Sequence, residues 1–391
     1  MTDLLTLEAA IEAVLARSAP LPRERVSLGD AGGRVLAEPA LALVDLPPFA
    51  SSAMDGFALR SADTPGRLPV VARIAAGSPA PRALRPGEAM GIATGGVVPE
   101  GADAVVPIER VVQQDDSLDI PEPVGHNDNI RPRGGDAYKG EVVLEAGSRL
   151  GPAQVGALAA AGIPELVCAR RPRVAVLATG SELRTPGEPL EPGEIYEANG
   201  AMLTAALHAY GADVDRLAPV RDDEDAHRGA LEHALQADVV VSSGGVSVGP
   251  HDLVRRVTAE LGVEEVFWRV AVKPGKPISF GVREATLVFG LPGNPVSALV
   301  GFELFVRPAL RALEGERDPG PRFRQAPLTR PVRRNHARDE LVRARWCDGA
   351  LEALGGQESH MIVRAAGAEA LVLVPRGDGE IAGEVSYLPL G

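Results

Sequence analysis

From Arg173 onward the chain alternates in a way that few folds can accommodate. R-V-A-V-L-A-T-G is followed by A-M-L-T-A-A-L-H-A-Y, then D-V-D-R-L-A-P-V, D-D-E-D-A-H-R-G-A-L-E-H-A-L, A-D-V-V-V-S-S, a helical stretch at about 251–261, V-F-W-R-V-A-V, T-L-V-F-G and a long helix from Pro295 to Leu313. Short runs of β-branched residues with no polar alternation are strands buried on both faces, and the amphipathic stretches between them are crossover helices. Strands joined through helices must lie parallel, so residues 171–318 are expected to form a doubly wound α/β domain with a parallel sheet.

The remaining text falls on either side of this block. Residues 1–44 read as mostly helical, and L-P-P-F at 46–49 breaks that pattern. Residues 49–136 carry short β-type runs, P-V-V-A-R-I, A-M-G-I-A-T and A-D-A-V-V-P-I, set off by S-P-A-P, R-P-G-E and P-E-G-A-D turns, and are expected to form a small inserted β domain. Residues 137–170 return to a strand and an Ala-rich helix from Pro152 to Ala161, resuming the domain begun by residues 1–48 as a discontinuous connecting domain, to which the family resemblance given below adds a dimerisation role. After the D-P-G-P-R-F-R linker, residues 319–391 read as a small β-barrel-like domain. With 391 residues, several cores are expected.

Composition narrows the function. A net charge of -13 leaves no basic excess to displace counterions from a nucleic acid, so any anionic ligand must be held by a few placed cations or through a metal. Cys168 and Cys347 stand far apart without Cys or His at metal-ligand spacing, which fits a reducing cytoplasm and argues against a disulfide framework or structural zinc. The first residues form an acidic amphipathic pattern rather than a basic segment with an apolar run, so no signal peptide is expected, and no apolar stretch is long enough for a membrane span.

Ligands on open α/β sheets bind beyond the carboxyl ends of the strands. The special residues of this chain share that address: A-T-G-S-E-L (178–183), R-D-D (221–223), S-S-G-G-V-S-V-G-P-H-D (242–252), K-P-G-K-P (273–277) and L-P-G-N-P-V-S-A (291–298) each follow a strand. Singly, each is an ordinary turn or helix start, with Asn294 as N-cap before Pro295. Together they bring Glu182, Asp222, Asp223, Asp252, Lys273 and Lys276 to one rim, beside Gly244, Gly245 and Gly249, whose backbone N–H groups suit an anion. Compact ammonium groups meet phosphate, and Asp252, Glu182 and one of Asp222 and Asp223 can share Mg²⁺, the apparatus for making or breaking a phosphoanhydride. A second group lies outside this domain: Asp55 in F-A-S-S-A-M-D-G-F-A, T-G-G at 94–96, and Arg131, Arg133 and Asp136 in N-I-R-P-R-G-G-D.

S-A-M-D-G-F-A, T-G-S-E-L, S-S-G-G-V-S-V-G-P-H-D, K-P-G-K-P and L-P-G-N-P-V-S-A, in that order, closely resemble the bacterial molybdopterin molybdenumtransferase family, which shares its fold and step with the C-terminal region of gephyrin. The resemblance implies an L-shaped homodimer of four-domain subunits that inserts molybdate into adenylylated molybdopterin, releasing AMP and using Mg²⁺. Carried over motif by motif, it implies Asp55, Glu182 and Asp136 as catalytic carboxylates. Asp223 or Asp222, Asp252 and Glu182 would hold the metal, and Thr94, Arg131, Gly244, Gly245, Ser247, Gly249, Lys273, Lys276 and Asn294 would bind substrate. It also implies an active site shared between subunits and transient contact with molybdopterin adenylyltransferase, with no nucleic acid or membrane partner. The chain departs from the family in S-H-M-I-V-R-A-A (359–366), where Val363, Arg364 and alanines replace serines, so a contribution from the last domain is not implied. The preceding step, adenylylation of molybdopterin, is the alternative reaction, but its loop typically reads G-G-T-G, where this chain has G-G-V-S-V-G. A non-catalytic molybdopterin-binding scaffold is the other alternative.

Overall fold

The computed structural model describes residues 4–245 and 253–390. Seven of its helices matter below: α1 (Leu7–Leu15), α2 (Pro152–Ala160), α3 (Asn199–Tyr210), α4 (Glu224–Ala234), α5 (Leu253–Glu260), α6 (Pro295–Gly301) and α7 (Arg307–Leu313). The strands of the α/β layer are β1 (Arg173–Ala178), β2 (Asp213–Arg216), β3 (Val239–Ser243), β4 (Glu264–Trp268), β5 (Ser279–Arg283) and β6 (Thr286–Leu291), in the spatial order β2-β1-β3-β6-β5-β4.

This sheet is mixed, which corrects the expectation of a parallel one. β2, β1, β3 and β6 are parallel, but β5 runs antiparallel between β6 and β4. The missed strand is S-F-G-V-R, joined to β6 by a tight turn in which Arg283 pairs with Thr286 and Glu284 adopts φ 55. A left-handed Glu gives no Asn-Gly or Asp-Gly signal, so the hairpin is silent in the sequence. V-F-W-R-V-A-V is likewise not one strand. It ends at Trp268, Arg269 turns at φ 76, and Val272–Lys273 leaves the sheet to pair with Asp339–Glu340. The long helix runs as expected to Leu313, with a π-helical turn at Phe302–Val306 just before Pro308, which has no N–H to donate.

The expectation of a mostly helical start is also corrected. Only α1 is α-helical before residue 44; Pro20 and Pro22 stop it, and Arg23–Ser27 forms a strand against Glu165–Ala169. α1 buries Leu7, Ala10 and Val14 in the core of the α/β layer, whereas Val26, Leu36, Ala40 and Ala42 share a separate core with Leu158 of α2, Leu150 and Cys168. Residues 56–120 carry a six-stranded sheet with its own apolar clusters. In the last part of the chain, the strands Arg324–Pro327, Glu384–Pro389, Ala370–Val374, Asp339–Cys347 and Ala350–Ala353 pair in turn. A bridge from Leu328 to Leu351 curls that sheet back on itself.

One buried ionic cluster ties three of these parts together. Arg149 donates to Glu314, to Glu316, to the Tyr210 hydroxyl at 2.7 Å and to the Gly33 carbonyl at 2.6 Å, and Arg322 and Arg311 close on Glu316. Burial, followed by the charge of Glu314, pushes the Tyr210 hydroxyl far above its ordinary pKa, so it stays a donor, bonding Glu314 at 2.6 Å. Removing one partner from such a cluster strands the others. Arg149→Ala leaves Glu314, whose side chain is 3% exposed, without its arginine, while Glu316, 2% exposed, keeps Arg322 and Arg311. The expected loss is about 3–5 kcal/mol in urea denaturation; a loss below about 1 kcal/mol, the range of a surface pair, would show that the cluster is not the tie described.

Candidate active site

Because β4 pairs with β5 and β5 with β6, both antiparallel, β4 points the same way as the other parallel strands. The described parts of the five loops singled out in the sequence therefore reach the carboxyl edge of the sheet, as expected for a site of this fold. They are not equally close. Over β1, β3 and β6 lies a cavity of about 300 Å³ whose lining includes Thr179, Glu182, Ser243 and Asn294. The K-P-G-K-P turn lies two strand spacings from β6, about 10 Å, and neither lysine lines the cavity.

Next to the lining residues Thr179 and Ser243, two loops approach closely. Gly244 has φ 95, and a Cβ there would stand 2.6 Å from the Thr179 carbonyl oxygen; Gly245 has φ 65, and a Cβ there would stand 2.6 Å from Val254 Cγ2. Only glycine fits at both positions. Beside them the Thr179 hydroxyl is buried and has no hydrogen-bond partner among the described residues. A buried hydroxyl left unpaired costs about 1–3 kcal/mol, a cost accepted most often at functional sites. Ser247, Gly249 and Asp252 lie outside the described residues.

Four residues that the sequence reading passed over complete the walls. Asn199, at the start of α3, donates to Ser243 Oγ at 2.8 Å and to the Gly293 carbonyl at 2.6 Å, stitching three loops together. Glu197, 2% exposed, accepts from the Gly200 N–H at 2.5 Å and from Arg216 at 2.6 Å, fixing the α3 start. Ile195 and Tyr196, 54% and 45% exposed, leave apolar surface at the cavity wall. A signal for them existed in E-I-Y-E-A-N-G, where two exposed apolar residues precede a helix start.

The metal candidates divide. Asp223 is the N-cap of α4, its carboxylate accepting from the Ala226 N–H at 2.9 Å. Asp222 instead faces the T-G-S-E loop, its carboxylate accepting from the Ser181 N–H at 3.1 Å while its own N–H donates to Ser181 Oγ at 3.0 Å. Glu182, the next residue, is exposed on the cavity wall. Among the described residues no three His, Cys, Asp or Glu side chains form a metal cage. Mg²⁺ commonly needs no such cage, taking one or two carboxylates with waters and substrate phosphates, and Glu182 with Asp222 fits that pattern.

The last domain reaches this site, which the sequence departures at 363–366 gave no reason to expect. Ser359 accepts from Asn294 Nδ2 at 2.8 Å through its hydroxyl and from the Val296 N–H at 3.0 Å through its carbonyl, and His360 and Ile362 line the cavity. Asn294 is the N-cap residue of α6, but its side chain is spent on Ser359 rather than on the helix. Lys273 forms an ion pair with Glu340 at 2.9 Å, and Lys276 is exposed.

The second group is assembled in part. Asp55 accepts from Thr94 twice, from its N–H at 2.7 Å and its hydroxyl at 3.0 Å. These bonds, the backbone one foremost, hold the Asp55 carboxyl below its ordinary pKa. Gly56 next to it approaches the neighbouring strand so closely that a Cβ would fall 2.0 Å from the Val106 carbonyl oxygen. Ile130–Arg131 pairs with Ser51–Ser52 just upstream, with the Arg131 side chain exposed. Arg133 is instead bound to Asp45, and Asp136 anchors its own loop through its N–H to Leu46 O at 2.8 Å. None of residues 49–136 lines the cavity of the α/β layer.

Comparison with known proteins follows the same divisions. The family description "MoeA N-terminal region (domain I and II)" matches residues 5–162, "Probable molybdopterin binding domain" residues 175–312, and "MoeA C-terminal region (domain IV)" residues 325–389. Together these matches cover nearly the whole chain, and the chain belongs to the MoeA family. Among named relatives, molybdopterin molybdenumtransferase 2 of Mycobacterium tuberculosis is 40% identical over 375 residues, 91% of this chain and 92% of that protein. Molybdopterin molybdenumtransferase of Haemophilus influenzae is 38% identical over 80% of this chain and 79% of its own, and that of Staphylococcus aureus 32% over 95% and 92%. A crystal structure of the molybdopterin biosynthesis MoeA protein of Pyrococcus horikoshii superposes with a TM-score of 0.86 at 30% identity, covering 99% of this chain and all of that one.

The Asp55–Thr94 contact carries a pH signature. A carboxylate whose pKa is lowered by native bonds contributes above its ordinary pKa and loses that contribution as pH falls through the lowered value. Thr94→Val removes the hydroxyl bond and keeps the larger backbone one, so the Asp55 carboxyl should titrate at higher pH than in the wild type, but still below an ordinary aspartate. Carboxyl NMR titration checks this, and an unchanged midpoint would rule the hydroxyl out as a contributor.

Proposed function

We propose that the cavity over β1, β3 and β6 holds adenylylated molybdopterin and that the chain is a transferase of molybdenum cofactor biosynthesis, inserting molybdate with release of AMP. The observation that carries the reading is the join of family membership to this cavity, with its Thr179 hydroxyl unpaired among the described residues and its apolar wall at Ile195 and Tyr196. The start of α3 in the cavity lining turns its positive dipole end to phosphate, and the apolar wall offers a flat surface to a fused ring. Glu182 and Asp222, on either side of Ser181, are the carboxylates in place for Mg²⁺, with Asp252 as the further carboxylate from the same rim. When bound, the metal would draw charge from the phosphate oxygens as the phosphoanhydride breaks. Asp223 is the weaker choice because its carboxylate already caps α4. The adenylyltransferase reading has less support, since residues 5–162 and 325–389 also match MoeA regions.

In this reading the protein acts as a homodimer in which Asp55, Thr94, Arg131 and Asp136 of one subunit face the cavity of the other. Two facts support it: none of these residues lines the cavity of its own chain, and Leu41, Leu43, Val44, Phe49, Tyr138 and Val142 are exposed apolar side chains. Contact with molybdopterin adenylyltransferase would deliver the nucleotide without releasing it to water. The described chain contains no helix long and apolar enough to cross a membrane.

Purified protein with adenylylated molybdopterin, molybdate and Mg²⁺ should release AMP and yield cofactor that activates an apo-molybdoenzyme; AMP without active cofactor would sink the insertion reading. Subunit sharing has its own test. Asp55→Ala and Glu182→Ala proteins should each be inactive, yet co-refolded equal mixtures should recover about a quarter of wild-type activity, because about half the dimers are mixed and each has one intact site. No recovery would place both groups in one subunit's site.

A further inference from the structure

The reading of the cavity as a polyanion site leaves an electrostatic gap. Its described lining carries two carboxylates, Glu182 and Glu197, and Lys273 and Lys276 are not part of it. Among the described residues, His360 is the one lining side chain that can take a positive charge.

The fold invests heavily in placing it. Arg343, 1% exposed, forms no ion pair within 4 Å among the described residues; its guanidinium donates to the carbonyls of Gly356 at 2.6 Å, Glu358 at 3.2 Å and Met361 at 2.9 Å. Gln357 brackets the same arginine, accepting from its N–H at 3.0 Å and donating to its carbonyl at 2.9 Å. Ser359 is bonded to Asn294 and Val296 at the start of α6. The residues on both sides of His360 are thereby pinned, one to the buried arginine and one to the α/β layer. The imidazole itself is exposed and makes no hydrogen bond among the described residues. A buried guanidinium is costly unless its donors are satisfied, and here they are satisfied by the loop that carries His360.

We infer that His360, presented by the Arg343-held loop of the last domain, is an anion-binding residue of this cavity that donates to a phosphate of the nucleotide substrate. The inference rests on the site reading above and adds the cationic group which that reading lacks.

Calorimetric titration of the full-length protein with ADP, as a pyrophosphate-bearing probe, and with adenosine, as its uncharged control, tests this. His360→Ala should weaken ADP binding about tenfold, the scale of one lost hydrogen bond to a charged group, and leave adenosine unchanged. His360→Arg should restore ADP binding. Equal ADP affinity in wild type and His360→Ala, or equal losses for ADP and adenosine, would overturn the role of His360 alone. Wild-type protein that bound neither probe would overturn the cavity assignment and this inference with it.

Discussion

The site depends on how closely the loop after β3 can approach the loop after β1. At Gly244 the two backbones are near enough that one added carbon would meet the Thr179 carbonyl oxygen at 2.6 Å, and the left-handed φ of 95° excludes a side chain a second time. With the loops in contact, Ser243 comes within reach of Asn199, and Asn199 in turn reaches the Gly293 carbonyl of the loop after β6. Three loops distant in sequence become one surface through two glycines and one asparagine. A larger residue at 244 would part the loops and undo those bonds together, so the cavity is a product of backbone packing before it is a product of chemistry.

The same geometry explains what could be read in advance. Strands β1, β3 and β6 were legible because burial on both faces forces continuous apolar runs, and their loops were legible because glycine, proline and clustered charge mark turns. β5 was not, because its hairpin uses Glu284 in a conformation usually left to Asn or Gly. The early strand Arg23–Ser27 was not, because its partner lies at Glu165–Ala169, and pairing at that separation leaves no local pattern. Among site residues, chemistry-bearing side chains in glycine-rich loops stood out, while Asn199, Glu197 and His360 were invisible: their importance comes from who faces them across the fold. Asp222 and Asp223 show the limit most clearly, adjacent and identical in type, yet one caps a helix and the other bonds the T-G-S-E loop.

An acidic chain that binds a polyanion must decide where its cations go, and here most are already engaged. Lys273 is paired with Glu340, Arg133 with Asp45, Arg216 with Glu197, and Arg343 is spent on carbonyl groups. Paired cations contribute little long-range field, so attraction of anions in general stays weak. What remains for a ligand at the cavity is local: the start of α3, a hydroxyl unpaired among the described residues and one imidazole. Such donors act only at hydrogen-bonding distance, so they favour an anion whose shape also fills the apolar wall at Ile195 and Tyr196, and a bare phosphate gains little from them. Discrimination is thereby moved from charge to fit, which is what a site for one pterin nucleotide among many cellular nucleotides requires.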